Sequence, residues 1–302
     1  MLLSSAIAAA LFATTALALT PAGHTPDGKP IYIAPSGSRV QQVNANMLVF
    51  APNGSLIHTF ENVIPKGARS KRAPSIINPR QDLSATQAYA LLNTTTDNLI
   101  QSFNTTFVVP PAPTTFKSQI IFLSANIQVL DPTTGIPFGN LRAALQYGGS
   151  WVQGGSFWTF AIQLEIPPAG FLQVTLIGAD PTLQVGQNII STIVHDPELD
   201  SEEPGVFWYI AGFPNVPNST TLEVGWQIPP SIVALELEEE GVLQSSDYPA
   251  GSFVFDQINL NLTNNTPPIS WKTSVDPTTN VDIQVDVDGA ENGKVSIIFP
   301  TD

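Results

Sequence analysis

The chain has 302 residues, of which 25 are acidic, 11 are basic and none is Cys, and its formal net charge at pH 7 is −14. A basic nucleic-acid surface is excluded, because phosphate binding needs clustered Lys and Arg. The absence of Cys excludes a disulfide framework, a Cys nucleophile and a thiolate metal site.

The N-terminus has the pattern of a secretory signal peptide. Residues 2–17 are almost wholly apolar or small, and Ala16-Leu17-Ala18 is typical of a cleavage site. The alternative is a membrane anchor, but the run is short for a span of about 20 apolar residues, and Pro21 follows at once. No later stretch is long and apolar enough to span a bilayer. We therefore predict a signal peptide over residues 1–18 and an extracellular, secreted protein.

A second processing signal follows at Lys71-Arg72, the kind of dibasic pair that secretory-pathway proteases cut. Six of the eleven basic residues but only two of the 25 acidic residues precede Ala73, so residues 73–302 carry five bases and 23 acids, a formal charge of −18. A basic segment beside an acidic domain suggests electrostatic docking. We predict a pro-segment over residues 19–72; the alternative is an exposed N-terminal arm that is not cleaved.

The remaining chain has the pattern of an all-β domain. Residues 73–98 form an expected N-terminal arm, in which residues 81–92 are the best helical candidate. Residues 99–302 contain short runs of strand-forming residues separated by Pro, Gly, Asn and Asp, which favours an antiparallel β-sandwich. The expected strands lie near residues 103–109, 118–130, 157–166, 170–177, 189–194, 206–210, 221–228, 231–242, 252–262, 281–287 and 295–299.

Six Asn-x-Ser/Thr sequons predict N-glycosylation in a eukaryotic secretory host. They begin at Asn53, Asn93, Asn104, Asn218, Asn261 and Asn264.

The inventory of ionisable side chains points to carboxylate chemistry. After the expected processing, the only His is His195, so a zinc site of several His is excluded, and no Gly-x-Ser-x-Gly motif supports a Ser-His-Asp triad. We expect no metal and no cofactor. Proton transfer would then depend on Asp, Glu, Tyr or Lys.

Three acidic clusters could supply such a group. Residues 196–203 are typical of a solvated loop. Residues 282–291 alternate Asp with Val or Ile and end in a turn, which favours an outer strand face over a Ca²⁺ loop, since the EF-hand spacing is not met. In residues 235–240, alternation places Glu236, Glu238 and Glu240 on one face of a strand and Leu235, Leu237 and Glu239 on the other.

Several short motifs in order resemble a known group of proteins. They begin with Phe103-Asn-Thr-Thr-Phe-Val-Val-Pro-Pro-Ala-Pro and Gln119-Ile-Ile-Phe-Leu, and continue with Leu145-Gln146-Tyr147-Gly148, Gly154-Gly155-Ser-Phe-Trp158 and Ser246-Asp247-Tyr248-Pro249. Residues 99–300 are similar through these motifs to secreted fungal β-sandwich proteins resembling the glutamic peptidases (eqolisins) and, more loosely, neprosin-type peptidases.

The resemblance implies a concanavalin A-like jelly roll of two antiparallel sheets with a concave groove. It also implies a Gln and a Glu on the concave sheet, where the carboxylate activates water and the amide donates to the oxyanion. Gln146 matches the family Gln. The family Glu falls on Leu235, and the nearest carboxylates are Glu236, expected to face away unless a bulge re-aims it, and Glu239, four residues further along.

The expected function is therefore a secreted acid endopeptidase, or a relative that has lost the catalytic Glu. Its expected catalytic residues are Gln146 with Glu236 or Glu239, and the expected groove residues are Tyr147, Trp151 and Trp158. The alternative is a non-catalytic carbohydrate- or surface-binding sandwich, in which sugars would stack on Trp151, Trp158, Trp208 and Trp226. We expect a monomer whose partner is an unfolded protein, a peptide or a glycan, without nucleic acid or membrane.

Overall fold

The computed structural model describes residues 19–25, 28–63, 86–132, 135–148, 155–167, 169–175, 183–217, 219–264, 266 and 268–301. The expected signal peptide, the Lys71-Arg72 pair, Trp151 and Asn218 lie outside the described residues. Within these ranges the chain is almost entirely β-strand, with one short α-helix and one 3₁₀ turn.

The elements follow one another along the chain with short connections. In order they are β1 (Pro21–His24), β2 (Pro30–Ile33), β3 (Ser38–Val43), β4 (Asn46–Phe50), β5 (Leu56–Phe60), β6 (Thr86–Leu91), β7 (Ile100–Val108), β8 (Ile120–Leu130), β9 (Pro137–Tyr147), β10 (Trp158–Ile166), β11 (Gly170–Thr175), β12 (Asn188–His195), α1 (Pro197–Glu202), β13 (Phe207–Gly212), β14 (Thr221–Trp226), β15 (Ile232–Glu240), the 3₁₀ turn (Ser245–Asp247), β16 (Ser252–Leu262), β17 (Lys272–Ser274), β18 (Asp282–Val287) and β19 (Gly293–Ile298).

The strands form two large sheets, here named sheet A and sheet B. Sheet A has the order β1-β2-β11-β10-β9-β8-β15-β6-β17, and sheet B has the order β18-β19-β16-β7-β12-β13-β14-β3-β4-β5. The expected all-β sandwich is confirmed. The sheets are mixed and not purely antiparallel, because β2 runs parallel to β11 and β3 runs parallel to β14. Strands from the N-terminal segment thus change the expected topology.

The core lies between the two sheets and follows from the period-two alternation of the strands. In β9, Leu141, Ala143 and Leu145 are buried in this core, whereas the residues between them point to the opposite face of sheet A. Phe160 of β10 stacks on Phe213, which follows β13, with ring centroids 4.1 Å apart. This contact joins sheet A directly to sheet B.

The expected helix over residues 81–92 was wrong for the part that the structure describes, because residues 86–91 form strand β6 of sheet A. Ala88 and Ala90 are buried, and they alternate with the more exposed Gln87 and Tyr89. The period of two outweighs the helical propensity of Ala, because β6 pairs with β15 on one side and β17 on the other. The sandwich therefore begins before residue 99.

Two acidic segments take simple local structures. The expected loop near residue 196 contains helix α1, since the Asp196 carboxylate caps the helix by accepting hydrogen bonds from the backbone N–H groups of Glu198 and Leu199 at 3.0 and 3.2 Å. The expected hairpin in the C-terminal region is confirmed as β18 and β19, with Asp282 and Asp286 exposed. No helix among the described residues has the length and apolar character needed to cross a membrane.

Candidate functional site

The candidate site lies on the face of sheet A that points away from sheet B, here called the polar face. Strand register brings side chains from β15, β8, β9 and β10 into rows across this face. One row contains Asn126 and Arg142, the next contains Glu236 and Ser124, and a third contains Gln146. These five polar side chains are almost completely buried, so their hydrogen bonds and charges act with little screening by water.

Arg142 is the centre of a buried ion cluster. Its side chain is about 5% exposed, and its guanidinium lies 2.9 Å from a carboxylate oxygen of Glu165 and is also hydrogen-bonded to Glu238. Burial alone would lower the pKa of Arg142, but the negative charges of Glu238, Glu236 and Glu165 outweigh that effect and raise it. Arg142 is therefore cationic at every relevant pH, and it keeps its two ion-pair partners close.

Glu236 is the third carboxyl group near Arg142, and it has a different environment. It is 6% exposed, and its Oε2 accepts a hydrogen bond of 2.6 Å from Nδ2 of Asn126. Burial raises the pKa of Glu236 to about 7; Arg142 opposes that shift, whereas the charges of Glu238 and Glu165 add to it. This carboxyl group can therefore exchange a proton near neutral pH, which is the property that a general acid or base needs.

Gln146 shares the polar face with Glu236. Its side chain is 1% exposed, and its Nε2 donates a hydrogen bond of 3.0 Å to the backbone oxygen of Gly148. The Cα atoms of Glu236 and Gln146 are about 12 Å apart, because β8 lies between their two strands and the residues are in neighbouring rows. The hydrogen bond of Glu236 to Asn126 draws its carboxyl group away from the row of Gln146. A water molecule or a peptide group would have to lie between the two side chains for them to act together.

The expectation that Glu236 faces away was wrong. Strand β15 pairs with β8 continuously from Ile232 to Glu240, without a bulge, so its even-numbered residues share a face with Gln146. Leu235 is buried in the core on the opposite face. The resemblance had placed the family Glu on Leu235, whose side chain lies on the other face from Gln146, because adjacent residues of a strand point to opposite faces.

Glu239 lies on the core-facing side of β15, so the structure does not bring it together with Gln146. Its Oε1 accepts a hydrogen bond from the hydroxyl group of Tyr248. Burial raises the pKa of Glu239 to about 7, the Tyr248 hydrogen bond opposes that shift, and the charge of Asp276 adds to it. Glu239 is thus a second carboxyl group that titrates near neutrality, at a separate place in the sandwich.

The expected aromatic groove is not formed by the described aromatic residues. Tyr147 and Trp158 are in the core, with ring centroids 5.1 Å apart, and Trp158 donates a hydrogen bond to the backbone oxygen of Pro111. Trp158, Trp208 and Trp226 are each at most 2% exposed, so none of the three presents a ring to a sugar. Instead, the polar face carries a small apolar cluster formed by Ile120, Phe122, Ala144 and Ala161.

Sequence reasoning missed Arg142, Asn126 and Glu165 as members of the site. Arg142 could have been found from alternation, since it lies four residues before Gln146 on the same strand and therefore on the same face. Asn126 and Glu165 come from other strands, and only the register of the folded sheet places them near Arg142.

Other residues with expected roles lie elsewhere. His195 is on β12 of sheet B, where its Nε2 lies 2.7 Å from a carboxylate oxygen of Asp200. Of the described sequons, Asn53, Asn93, Asn261 and Asn264 are exposed, and Asn104 is half-buried. Among the described residues, no group of three or more His, Cys, Asp or Glu side chains is arranged to hold a metal ion.

Neither the family models nor the curated proteins give a match to this chain. Solved structures with a similar arrangement include scytalidoglutamic peptidase with a peptide-based transition-state analogue, at 13% identity and a TM-score of 0.44, covering 72% of this chain and 98% of that one. A second is SCP-B, a member of the eqolisin family of peptidases, in complex with the tripeptide Ala-Ile-His, at 10% identity and a TM-score of 0.40, with the same coverage.

Proposed function

We propose that the polar face is a hydrolytic site for peptide bonds, with Glu236 as the proton-transfer group and Gln146 as the amide donor. The observation that carries this proposal is the placement of a buried carboxyl group whose pKa is about 7 on the same sheet face as Gln146. Perturbed carboxyl groups of this kind are concentrated at functional sites. The resemblance of Leu145-Gln146-Tyr147-Gly148 to the glutamic-peptidase motif supports the same assignment.

In this mechanism Glu236 takes a proton from a water molecule that attacks the scissile carbonyl carbon. Nε2 of Gln146 then donates a hydrogen bond to the oxygen on which negative charge develops. As the C–N bond breaks, Glu236 returns the proton to the leaving amine nitrogen and becomes a carboxylate again. The substrate must displace the present hydrogen bonds of both side chains, to Asn126 and to Gly148. Such realignment is common, because catalytic hydrogen bonds often tighten only when the substrate binds.

The environment of Glu236 sets the expected pH profile. A general base acts in its ionised form, and burial raises the pKa of Glu236 to about 7. The value of kcat/KM should therefore rise with pH up to about 7 and then level off. This profile moves the expected optimum from acidic towards neutral pH.

The test is hydrolysis of an unfolded protein by the wild type, by Glu236→Gln and by Gln146→Ala, measured from pH 3 to pH 9. Loss of a general base lowers rates by about 10²–10⁴-fold, and loss of an oxyanion donor lowers kcat by about 10²–10³-fold. Glu291→Gln, at an exposed position, is the matched control and should leave the rate unchanged. Cleavage that survives both site substitutions would show that the site is elsewhere.

A second candidate is hydrolysis of glycosidic bonds, favoured by a specific pair of carboxyl groups. Glu236 and Glu238 are two residues apart on the same face of β15, so their Cα atoms are about 7 Å apart. Glu238 is ion-paired with Arg142, whereas Glu236 has a pKa raised to about 7. A protonated acid beside an ionised carboxylate is the arrangement that retaining glycosidases use.

The two candidates differ in their dependence on Glu238. Glycosidic cleavage through a covalent intermediate needs Glu238 as the nucleophile, so Glu238→Gln should abolish it. Peptide hydrolysis through Glu236 and Gln146 should survive Glu238→Gln with a shifted pH profile, because Glu238 contributes to the pKa of Glu236. Assays of both variants on an unfolded protein and on a panel of polysaccharides decide between the candidates.

A further inference from the structure

The N-terminal segment, residues 19–63, is built into both sheets of the sandwich. Strands β1 and β2 extend sheet A, where Ile31 to Ile33 of β2 pair in parallel with β11. Strands β3, β4 and β5 extend sheet B, where β3 pairs in parallel with β14. The segment therefore makes backbone ladders with two different sheets, which resembles the addition of a peptide strand to a sheet edge.

The segment also contributes apolar side chains to the interior. Val40, Met47, Val49 and Phe60 belong to the core cluster between the sheets, and Ile31 is completely buried beside β11. If the segment left, it would expose these side chains and the apolar surface that they cover on the rest of the chain. Burial of this kind favours association of the segment even when no peptide bond connects it.

Ion pairs between basic residues of the segment and acidic residues of the remaining chain stabilise its contacts with both sheets. Arg39 is ion-paired with Glu223 at 2.9 Å and lies 4.9 Å above the ring of Trp208. On sheet A, Nζ of Lys29 lies 3.8 Å from a carboxylate oxygen of Glu165, which also binds Arg142 of the polar face. The two basic residues of the segment thus each contact an acidic residue of the remaining chain.

We propose that residues 19–72 remain bound as a separate chain after cleavage at Lys71-Arg72, held non-covalently because residues 19–63 add strands to both sheets. The dibasic pair lies in the 22 residues between Val63 and Thr86, which form the covalent connection from β5 to β6. The cleaved protein then consists of two chains, and Lys29 of the shorter chain remains beside the ion cluster of the polar face. This inference does not depend on the proposed hydrolytic activity.

The test begins with the full chain, cut by an endoprotease specific for paired basic residues and then examined by native mass spectrometry and size-exclusion chromatography. We expect two fragments on a denaturing gel, but one native species with the mass of both. Arg72→Ala is the uncut control. If the native pair resists the protease, a chain with an engineered cleavage sequence at the same place gives the same readout.

Single substitutions test whether the observed contacts hold the segment. In the cut protein, Arg39→Ala should raise the Kd of the segment about five-fold, because it removes the contacts with Glu223 and Trp208. Leu56→Ala, at an exposed position of β5, is the matched control and should have little effect. Elution of the shorter fragment alone, with residues 73–302 still folded, would overturn the proposal. Aggregation of the cut protein would also contradict it, since the assembly is expected to survive cleavage.

Discussion

The buried carboxyl group of Glu236 should make the protein less stable at neutral pH than at mildly acidic pH. Its pKa is about 7 in the folded state, compared with 4.5 for an exposed Glu. Between these two values the folded protein binds more protons than the unfolded chain, so the free energy of unfolding falls as pH rises through that window. The shift corresponds to an upper bound of about 3 kcal/mol, because each pKa unit is equivalent to about 1.4 kcal/mol.

Glu236→Gln isolates this contribution, since Gln keeps the shape and can still accept the hydrogen bond from Asn126, but it does not titrate. Urea unfolding of the wild type should give a free energy of unfolding that is lower at pH 8 than at pH 4.5. In Glu236→Gln this difference should shrink by up to about 3 kcal/mol. Glu291→Gln, at an exposed site, should keep the wild-type pH dependence.

Glu239 also makes the free energy of unfolding fall as pH rises, because burial raises its pKa to about 7. The variant Glu236→Gln should therefore retain some loss of stability at pH 8, and the double variant with Glu239→Gln should retain less. The reasoning would be refuted by a wild type that is more stable at pH 8 than at pH 4.5. It would also be refuted by a Glu236→Gln variant with an unchanged pH dependence.

Three further predictions concern the ion cluster, a tight turn and the protein surface. Arg142→Met should lower the free energy of unfolding at pH 8 by about 3–5 kcal/mol, and by less at pH 4.5 where Glu236 is protonated, as measured by urea unfolding. Gly148→Ala should cost about 3 kcal/mol or more, because its φ is +78° and an added Cβ would lie 1.9 Å from the backbone oxygen of Gln119; thermal melts measure this. Protein secreted by a eukaryotic host should carry glycans at the exposed Asn93 and Asn261, so each Asn→Gln variant should lose the mass of one glycan.

Local patterns in the sequence were sufficient to predict the class of fold. Alternating apolar residues and turn residues define most of the strands from β7 onwards, and the alternation of Glu236, Glu238 and Glu240 on one face of β15 is present in the structure. Alternation is a local property that any strand with one buried face must satisfy. It can be recognised without knowledge of the neighbouring strands.

The composition of the site depends on register between distant strands, which local patterns do not contain. Arg142 and Glu238 are 96 residues apart in the chain, and they meet only because β8 pairs with both β9 and β15. The parallel pairing of β2 with β11 also joins segments that are distant in the chain, so local patterns do not predict it. The face of β15 that carries Glu236 was predicted wrongly for a simpler reason, since a shift of one residue moves every side chain of a strand to the other face of the sheet.

The cost of the ion cluster is itself an argument that the polar face has a function. Buried ion pairs give little net stability compared with well-packed apolar residues of similar size. The same face also carries the apolar residues Ile120, Phe122, Ala144 and Ala161, so apolar packing is compatible with its geometry. A fold that needed stability alone would be served better by extending that apolar cluster across Arg142 and its acidic neighbours. The arrangement instead gives one carboxyl group, Glu236, a pKa of about 7, which favours a role in proton transfer.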